Sequence, residues 1–151
     1  MKHPRWLILL ALGCSGTAGH PRDYSGDWLL ELQPATGACS ATTLVVNVAD
    51  GRVTFDGGAA ACPIDAELAG AAFEQHTFCP TEQRAWVDFS ERQGELVYGI
   101  CQYSVAAHPL TRGERCELRR EACVATCANR PDEGCVAACD GFFAECTGGP
   151  S

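Results

Sequence analysis

The sequence predicts an α+β protein, in which an antiparallel β-meander or small barrel of about six strands precedes a disulfide-stapled antiparallel α-hairpin. Two observations predict this fold. Six segments between residues 26 and 101 alternate apolar with polar residues, as half-buried strands do. Farther along, six cysteines are separated by gaps of 7, 4, 8, 4 and 7 residues, which read the same from either end.

The predicted strands are separated by short turns rich in glycine and polar residues, which favours pairing of consecutive strands. Their segments are GDWLLELQ, TTLVVNV, RVTF, IDAEL, RAWVDF and ELVYGIC. The dipeptide Asp50-Gly51 lies between the second and third segments and favours a two-residue hairpin with positive φ at both positions. This turn would pair Ala49 with Arg52.

Four cysteines fall within or beside the β-region, and hairpin register suggests how they pair. Carried outward, the register set by Asp50-Gly51 brings Cys39 opposite Cys62, so we expect a disulfide between them. A bulge at residues 57–58, which are both glycine, would shift that register. Cys79 and Cys101 bracket the last hairpin and are expected to pair, partly by elimination.

The palindromic cysteines are explained by two antiparallel helices. Because each helical residue turns by about 100°, the first three cysteines fall on one face of one helix and the last three on one face of the next. Pro131 cannot continue the first helix, and Asp132 can cap the second. Cysteines at the same height along the two helix axes face each other and form nested disulfides: Cys116–Cys146, Cys123–Cys139 and Cys127–Cys135.

The segments CVATC and CVAAC resemble the twin C-x3-C helical hairpins of small mitochondrial intermembrane-space chaperones. The resemblance covers only this hairpin and implies its helices and its two inner disulfides. It does not imply the chaperone activity. Three disulfides would compensate for the small apolar content of such a short unit. We expect Phe142 and Phe143 to dock on the β-domain rather than to form a binding patch.

The first residues, MKHPRWLILLALGCSG, have the basic start and short apolar run of an export signal. That run is far shorter than the roughly 20 residues that span a bilayer. The residues LALGC resemble a bacterial lipobox, which implies that Cys14 is lipidated and begins the mature chain. Ordinary cleavage near Gly19 is the alternative. Ser15 after the cysteine is typical of sorting to the outer membrane.

Changes of composition divide the chain into successive parts. The segment SVAAHPLTRG contains Pro109 and Gly113 and is predicted to be a linker. The predicted parts are a lipoprotein signal peptide at 1–13, a spacer at 14–25, a β-meander domain at 26–103, the linker at 104–113, the cysteine-rich hairpin at 114–147 and a tail at 148–151.

Cysteine content and charge restrict the compartment and the partners. The chain has 11 cysteines, an even ten once Cys14 is set aside, which indicates a disulfide framework in an oxidising compartment. Isolated histidines and the lack of C-x2-C motifs disfavour zinc, so we expect neither metal nor cofactor. A net charge of −8 argues against nucleic acid. We expect a lipid-anchored protein of the bacterial envelope, on the outer membrane, or otherwise a secreted or periplasmic one.

Motifs for catalysis are lacking, and one motif suggests binding. His76 and His108 are isolated in sequence, and GACSA is not a G-x-S-x-G nucleophile elbow. Gly26 and Trp28 form a G-x-W on the first strand that resembles lipocalins and their calycin relatives. In that family the tryptophan closes the floor of the barrel, which implies that Trp28 could face a ligand. The alternative is that Trp28 is a core residue of an ordinary β-sheet.

The whole chain resembles small cysteine-rich bacterial lipoproteins of unknown function. We therefore expect an envelope-anchored, non-enzymatic binding or interaction module whose partners are the membrane, through the anchor, and an unknown protein or small apolar ligand. The alternative is a small β-barrel that binds an apolar ligand or inhibits a protease. A hydrolytic enzyme is the third hypothesis.

Overall fold

The computed structural model describes residues 22–55, 57, 61–128 and 133–148. These residues form eight antiparallel strands followed by two α-helices, which confirms the predicted α+β class. The leader with Cys14 lies outside the described residues. The elements are β1 Gly26–Pro34, β2 Thr42–Ala49, β3 Arg52–Phe55, β4 Ile64–Glu67, β5 Ala72–Phe78, β6 Glu82–Asp88, β7 Gln93–Tyr98, β8 Cys101–Pro109, α1 Arg112–Cys127 and α2 Glu133–Thr147.

The eight strands form one antiparallel sheet that is nearly closed into a barrel. Their order is β4-β3-β2-β1-β8-β7-β6-β5, so the first and last strands pair with each other. That ladder runs from Trp28 opposite Pro109 to Pro34 opposite Tyr103. The two edges of the sheet, β4 and β5, are consecutive along the chain, and their connection carries one isolated backbone bridge.

The strand number is eight and not the predicted six, because β5 and β8 were missed. In β5 the side chains of Gln75 and Thr77 alternate with exposed neighbours, but they are polar and so hide the apolar period of a strand. In β8 the alternation is present, with Tyr103, Val105 and Ala107 buried. The small side chains of this strand and Pro109 at its end are also typical of a linker, so its sequence does not distinguish the two.

The predicted linker at 104–113 is therefore wrong. Residues 104–109 belong to β8, which pairs with both β1 and β7, and the β-domain extends beyond residue 103. Only Leu110 and Thr111 separate this strand from α1. Leu110 donates its backbone N–H to the carbonyl of Asp27 at 2.8 Å, so the short connection is itself attached to the barrel.

The hairpin predicted at Asp50-Gly51 is confirmed, with φ of 51° and 71° and with Ala49 opposite Arg52. The disulfides inferred by extending its register are wrong. Pairing of β2 with β3 reaches no farther than Asn47 opposite Thr54, and β2 pairs with β1 over most of its length. Cys39 lies in the connection between β1 and β2 and forms a disulfide with Cys101.

The expected Cys39–Cys62 and Cys79–Cys101 pairs are thus replaced by one disulfide between the β1–β2 connection and the start of β8. Its Cα atoms are 5.9 Å apart. Cys62 is buried and Cys79 is half-buried, and both are free thiols. The register of one hairpin does not determine these partners, because closure of the barrel decides which connections are neighbours.

The interior of the barrel is filled with side chains. Apart from Gln83, the fully buried inward positions of the described strands are apolar, which is the arrangement expected of a small barrel. The largest fully buried residues among them are Phe73, Phe89, Leu30, Leu32, Ile64 and Leu96. Their burial removes the apolar face of each strand from water and is the main stabilising contribution to the fold.

Two glutamine side chains fasten the backbone beside β4. Gln83 on β6 is fully buried; its Oε1 accepts from the N–H of Cys62 at 2.7 Å, and its amide NH₂ donates to the carbonyl of Cys62 at 3.4 Å. Gln75 on β5 likewise accepts from the N–H of Asp65 at 2.9 Å and donates to the carbonyl of Pro63 at 3.2 Å. Side-chain amides therefore replace strand pairing where β4 and β5 face each other.

The helical hairpin is stapled by the three nested disulfides that the cysteine spacing predicts: Cys116–Cys146, Cys123–Cys139 and Cys127–Cys135. Helix α1 begins at a capping box, in which the Thr111 hydroxyl accepts from the N–H of Glu114 and the Glu114 carboxylate accepts from the N–H of Thr111. Neither helix in the described part of the chain is long and apolar enough to cross a membrane.

Candidate functional site

The candidate site is a cleft of about 530 Å³ between α1 and the outer face of β1, β2 and β3. Its volume falls within the range of small-molecule pockets. The sheet contributes outward-facing side chains, and the helix contributes residues from two successive turns. The lining residues are Asp27, Val45, Asn47, Thr54, Phe55, Gly57, Arg115, Leu118, Arg119 and Ala122.

An ion pair between Asp27 and Arg115 joins the helix to the barrel at one end of the cleft. The guanidinium Nη1 of Arg115 donates to Oδ2 of Asp27 at 2.5 Å, and Asn47 donates its side-chain N–H to Oδ1 at 2.8 Å. Burial favours the neutral acid, but these hydrogen bonds and the charges of Arg115 and Arg119 outweigh it, so the pKa of Asp27 is lowered. The carboxylate is therefore ionised and holds α1 in position.

Arg119 lies one helical turn beyond Arg115, and its side chain is exposed. The ion pairs of the described residues do not include it, whereas Arg115 is neutralised by Asp27. The cleft consequently has an excess of one positive charge among its described lining residues, in a protein whose net charge is −8. This local excess makes the cleft attractive to an anionic group.

Apart from Asn47 and Thr54, the remaining wall of the cleft is apolar. Val45 on β2 is 38% exposed although it is a β-branched aliphatic residue, and Leu118 of α1 and Phe55 of β3 are half-buried. Apolar surface beside a guanidinium suits a ligand that has an apolar body and an anionic end. The cleft thus presents a positive charge next to apolar surface, between a helix and a set of paired strands.

Trp28, the residue that the G-x-W resemblance placed toward a ligand, does not line this cleft. Its ring is 7% exposed, packs against Phe89 with centroids 4.7 Å apart, and donates its Nε1–H to the carbonyl of Tyr24 at 2.8 Å. It borders a separate shallow hollow at the end of the barrel, together with Arg22 and Arg92. Trp28 therefore closes one end of a packed interior.

The histidines considered for catalysis are both on the outer surface and lie apart. His76 is within 2.8 Å of Glu82, which also accepts from Arg84 at 2.7 Å. Those hydrogen bonds, first from Arg84 and then from His76, lower the pKa of Glu82 and weaken it as a proton acceptor. His108 pairs with Glu31 at 3.4 Å. A hollow beside His76 contains Trp86, but serine, threonine and cysteine are lacking among its described lining residues.

The aromatic pair of α2 does not dock on the barrel as expected. Phe142 is 69% exposed, and Phe143 packs beneath the guanidinium of Arg120, whose Cζ is 5.8 Å from the ring centroid. Arg120 also donates to Asp140 at 2.7 Å. Phe143 is therefore used within the hairpin, and Phe142 remains on its surface.

Sequence reasoning missed Asp27, Arg115 and Arg119. The two arginines are four residues apart and so share one helix face, which was a readable signal. Their position opposite Asp27 depends on where α1 lies against the barrel, which periodicity does not specify. No protein-family model, curated protein or solved structure matches the chain.

Proposed function

We propose that the protein is a non-enzymatic binding module held at the bacterial envelope by a lipid on Cys14, and that the cleft beside α1 is its binding site. The ligand class that fits this cleft is a small amphipathic anion, such as a carboxylate on an aliphatic chain. The observation that carries the proposal is the exposed guanidinium of Arg119, which joins no ion pair among the described residues, beside the apolar wall of Val45 and Leu118.

The cleft is built on rigid elements, which favours binding because little ordering is needed. The capping box and three disulfides to α2 stiffen helix α1 itself, and the Arg115–Asp27 ion pair and the bond from the Leu110 N–H to the Asp27 carbonyl attach it to the barrel. The opposite wall consists of paired strands. An anionic end would hydrogen-bond to Arg119, and its aliphatic body would cover Val45 and Leu118, which removes exposed apolar area from water.

The packed interior of the barrel argues against the alternative of an apolar ligand held inside it. Leu30, Leu32 and Val46 are each fully buried by other side chains at the positions where such a ligand would lie. The enzyme hypothesis has weaker support still, because His76 and His108 each face one carboxylate on open surface. Binding on the outside of the barrel is consistent with both observations.

The proposal is tested by titrating the folded protein with laurate and following backbone and arginine Nε–H resonances by NMR. Laurate is expected to shift the signals of Val45, Leu118 and Arg119. Dodecyltrimethylammonium, which has the same chain and the opposite charge, is expected to shift them much less. Arg119→Glu should weaken laurate binding by at least about tenfold, since a charge-assisted hydrogen bond becomes repulsion.

Arg92→Glu is the matched control, because Arg92 is an exposed arginine outside the cleft. It makes the same charge change and should leave laurate affinity unaltered. Shifts confined to interior residues such as Leu30 would favour the apolar-ligand barrel instead. Equal loss in both variants, or no shifts at the cleft, would show that this site does not bind amphipathic anions.

A further inference from the structure

The four connections at one end of the barrel each contain or adjoin a cysteine. Because consecutive strands are antiparallel, the β1–β2, β3–β4, β5–β6 and β7–β8 connections all lie at the same end. The cysteines there are, in chain order, Cys39, Cys62, Cys79 and Cys101. The four thus lie around one rim, and barrel closure makes Cys39 the neighbour of Cys101, and Cys62 the neighbour of Cys79.

The first of these neighbouring pairs is a disulfide across the seam between β1 and β8. That seam already has a continuous backbone ladder from Trp28 to Pro34. The second pair lies across the seam between β4 and β5. There the backbone bridge is Ala69 with Ala72, at the opposite end of the barrel. The seam between β4 and β5 is therefore the weaker one. Cys62 and Cys79 lie at the end of this seam that is opposite the bridge.

The thiol of Cys62 contacts the backbone of Cys79 across the weak seam. The Sγ–H of Cys62 donates to the backbone carbonyl of Cys79 at 2.9 Å, and Gln83 fixes the backbone of Cys62 on its other side. The carbonyl of Cys79 also accepts from the Tyr98 hydroxyl at 3.2 Å, which orients the turn that carries this cysteine. Both cysteines are thus held in place by this hydrogen bond between them and by side chains of the neighbouring strands.

We propose that Cys62 and Cys79 form a fifth disulfide, which closes the seam between β4 and β5 and completes the barrel. The other eight cysteines in the described part of the chain are already paired, so one oxidising compartment serves all five bonds. The inference does not rest on the cleft beside α1, because neither Cys62 nor Cys79 is among the described residues that line it.

The oxidation proceeds by thiol–disulfide exchange with a small disulfide such as glutathione disulfide. Cys79 is half-buried and accessible, so its thiolate attacks the oxidant and releases one glutathione thiolate. The Cys62 thiolate then attacks the sulfur of Cys79 in the mixed disulfide and releases the second glutathione. In total, two protein thiols lose two protons and two electrons, and one glutathione disulfide becomes two thiols.

The second step is the slow one. In the reduced protein burial raises the pKa of the Cys62 thiol to about 11, and the same burial disfavours the Cys62 thiolate in the mixed disulfide. Few Cys62 thiolates exist at neutral pH, and solvent does not reach the sulfur. The same burial protects the finished bond from reductants, so it would persist once formed.

The experiment is peptide mapping of the folded protein after equilibration with glutathione disulfide, without reduction. Trypsin alone leaves both cysteines on one peptide, because Arg52 and Arg84 are the flanking sites. Cleavage after Glu67 and Glu74 separates them, so a linked peptide then requires the Cys62–Cys79 bond. Oxidation should also slow hydrogen exchange of residues 62–67 by at least about tenfold.

Cys79→Ser is the matched variant, because it keeps the buried Cys62 and cannot form the bond. Its exchange rates should not respond to glutathione disulfide. If the wild-type protein, equilibrated in the same way, still has both thiols open to alkylation after denaturation, the proposal is wrong. Linkage of Cys62 or Cys79 to Cys39 or Cys101 would equally overturn it.

Discussion

Gln83→Met is the substitution that most directly tests how the barrel is held at its weak seam. Methionine keeps the length of the side chain but removes both hydrogen-bonding groups, so the N–H and the carbonyl of Cys62 lose their partner. Gln83 is 0% exposed, and water cannot replace these bonds. A buried unsatisfied group costs about 1–3 kcal/mol. Because the bond to the carbonyl is long at 3.4 Å, we expect a total loss of about 2–3 kcal/mol.

Gln75→Met provides the comparison, since Gln75 makes the same two kinds of hydrogen bond, to Asp65 and Pro63, where solvent can reach them. Water can take the place of its amide, so the expected loss is only about 0.5 kcal/mol. Equilibrium denaturation with urea measures both, with the disulfides in the same state. Equal losses in the two variants would refute the reasoning, because burial would then not determine the cost.

Three further predictions concern the anchor, the cleft and two glycines. Intact-mass measurement of protein from membranes should find a diacylglyceryl adduct on a chain beginning at Cys14, and a soluble product beginning near His20 would contradict it. Asp27 has a lowered pKa, so it stabilises the fold above its unfolded pKa of 3.8 and loses that contribution as the pH falls through the lower folded value. Wild-type stability should therefore decline more steeply below pH 3.8 than that of Asp27→Asn, and parallel curves would remove the role of the ion pair. A methyl group on buried Gly94 would collide with the backbone of Trp86 and Val87, so Gly94→Ala should lose about 1–3 kcal/mol in urea denaturation, whereas Gly141→Ala, in open space within α2, should gain about 0.5–1 kcal/mol. A gain from both alanines would show that strand β7 has more room than its contacts indicate.

Elements whose signal is local could be predicted from the sequence alone. The six recognised strands have apolar residues on one face, and Asp50-Gly51 has the residues that positive φ requires. The missed strand β5 shows the limit of this approach. Its half-buried residue Gln75 is polar because it bonds to the backbone of the neighbouring edge strand, and that neighbour is known only once the barrel is nearly closed.

The candidate site was less predictable than the fold. The spacing of Arg115 and Arg119 predicts that they share a helix face. Asp27, which pairs with Arg115, is 88 residues away along the chain. Of the two interpretations of Trp28, the structure has the core residue and not the ligand-facing one. A site assembled from a helix and the outer face of a sheet depends on docking between them, and no periodicity in either segment encodes that contact.

The cysteines separate most clearly what the sequence by itself determined from what the tertiary structure decided. The three hairpin disulfides follow from residue numbers, because helical geometry relates spacing to both face and height over short distances. For Cys39, Cys62, Cys79 and Cys101 the same reasoning gave the wrong partners. These residues lie in connections, where spacing does not set position, and the pairing of β1 with β8 brings together segments 62 residues apart. Closure of the barrel, a long-range contact between the two ends of the β-region, decided which of them could meet.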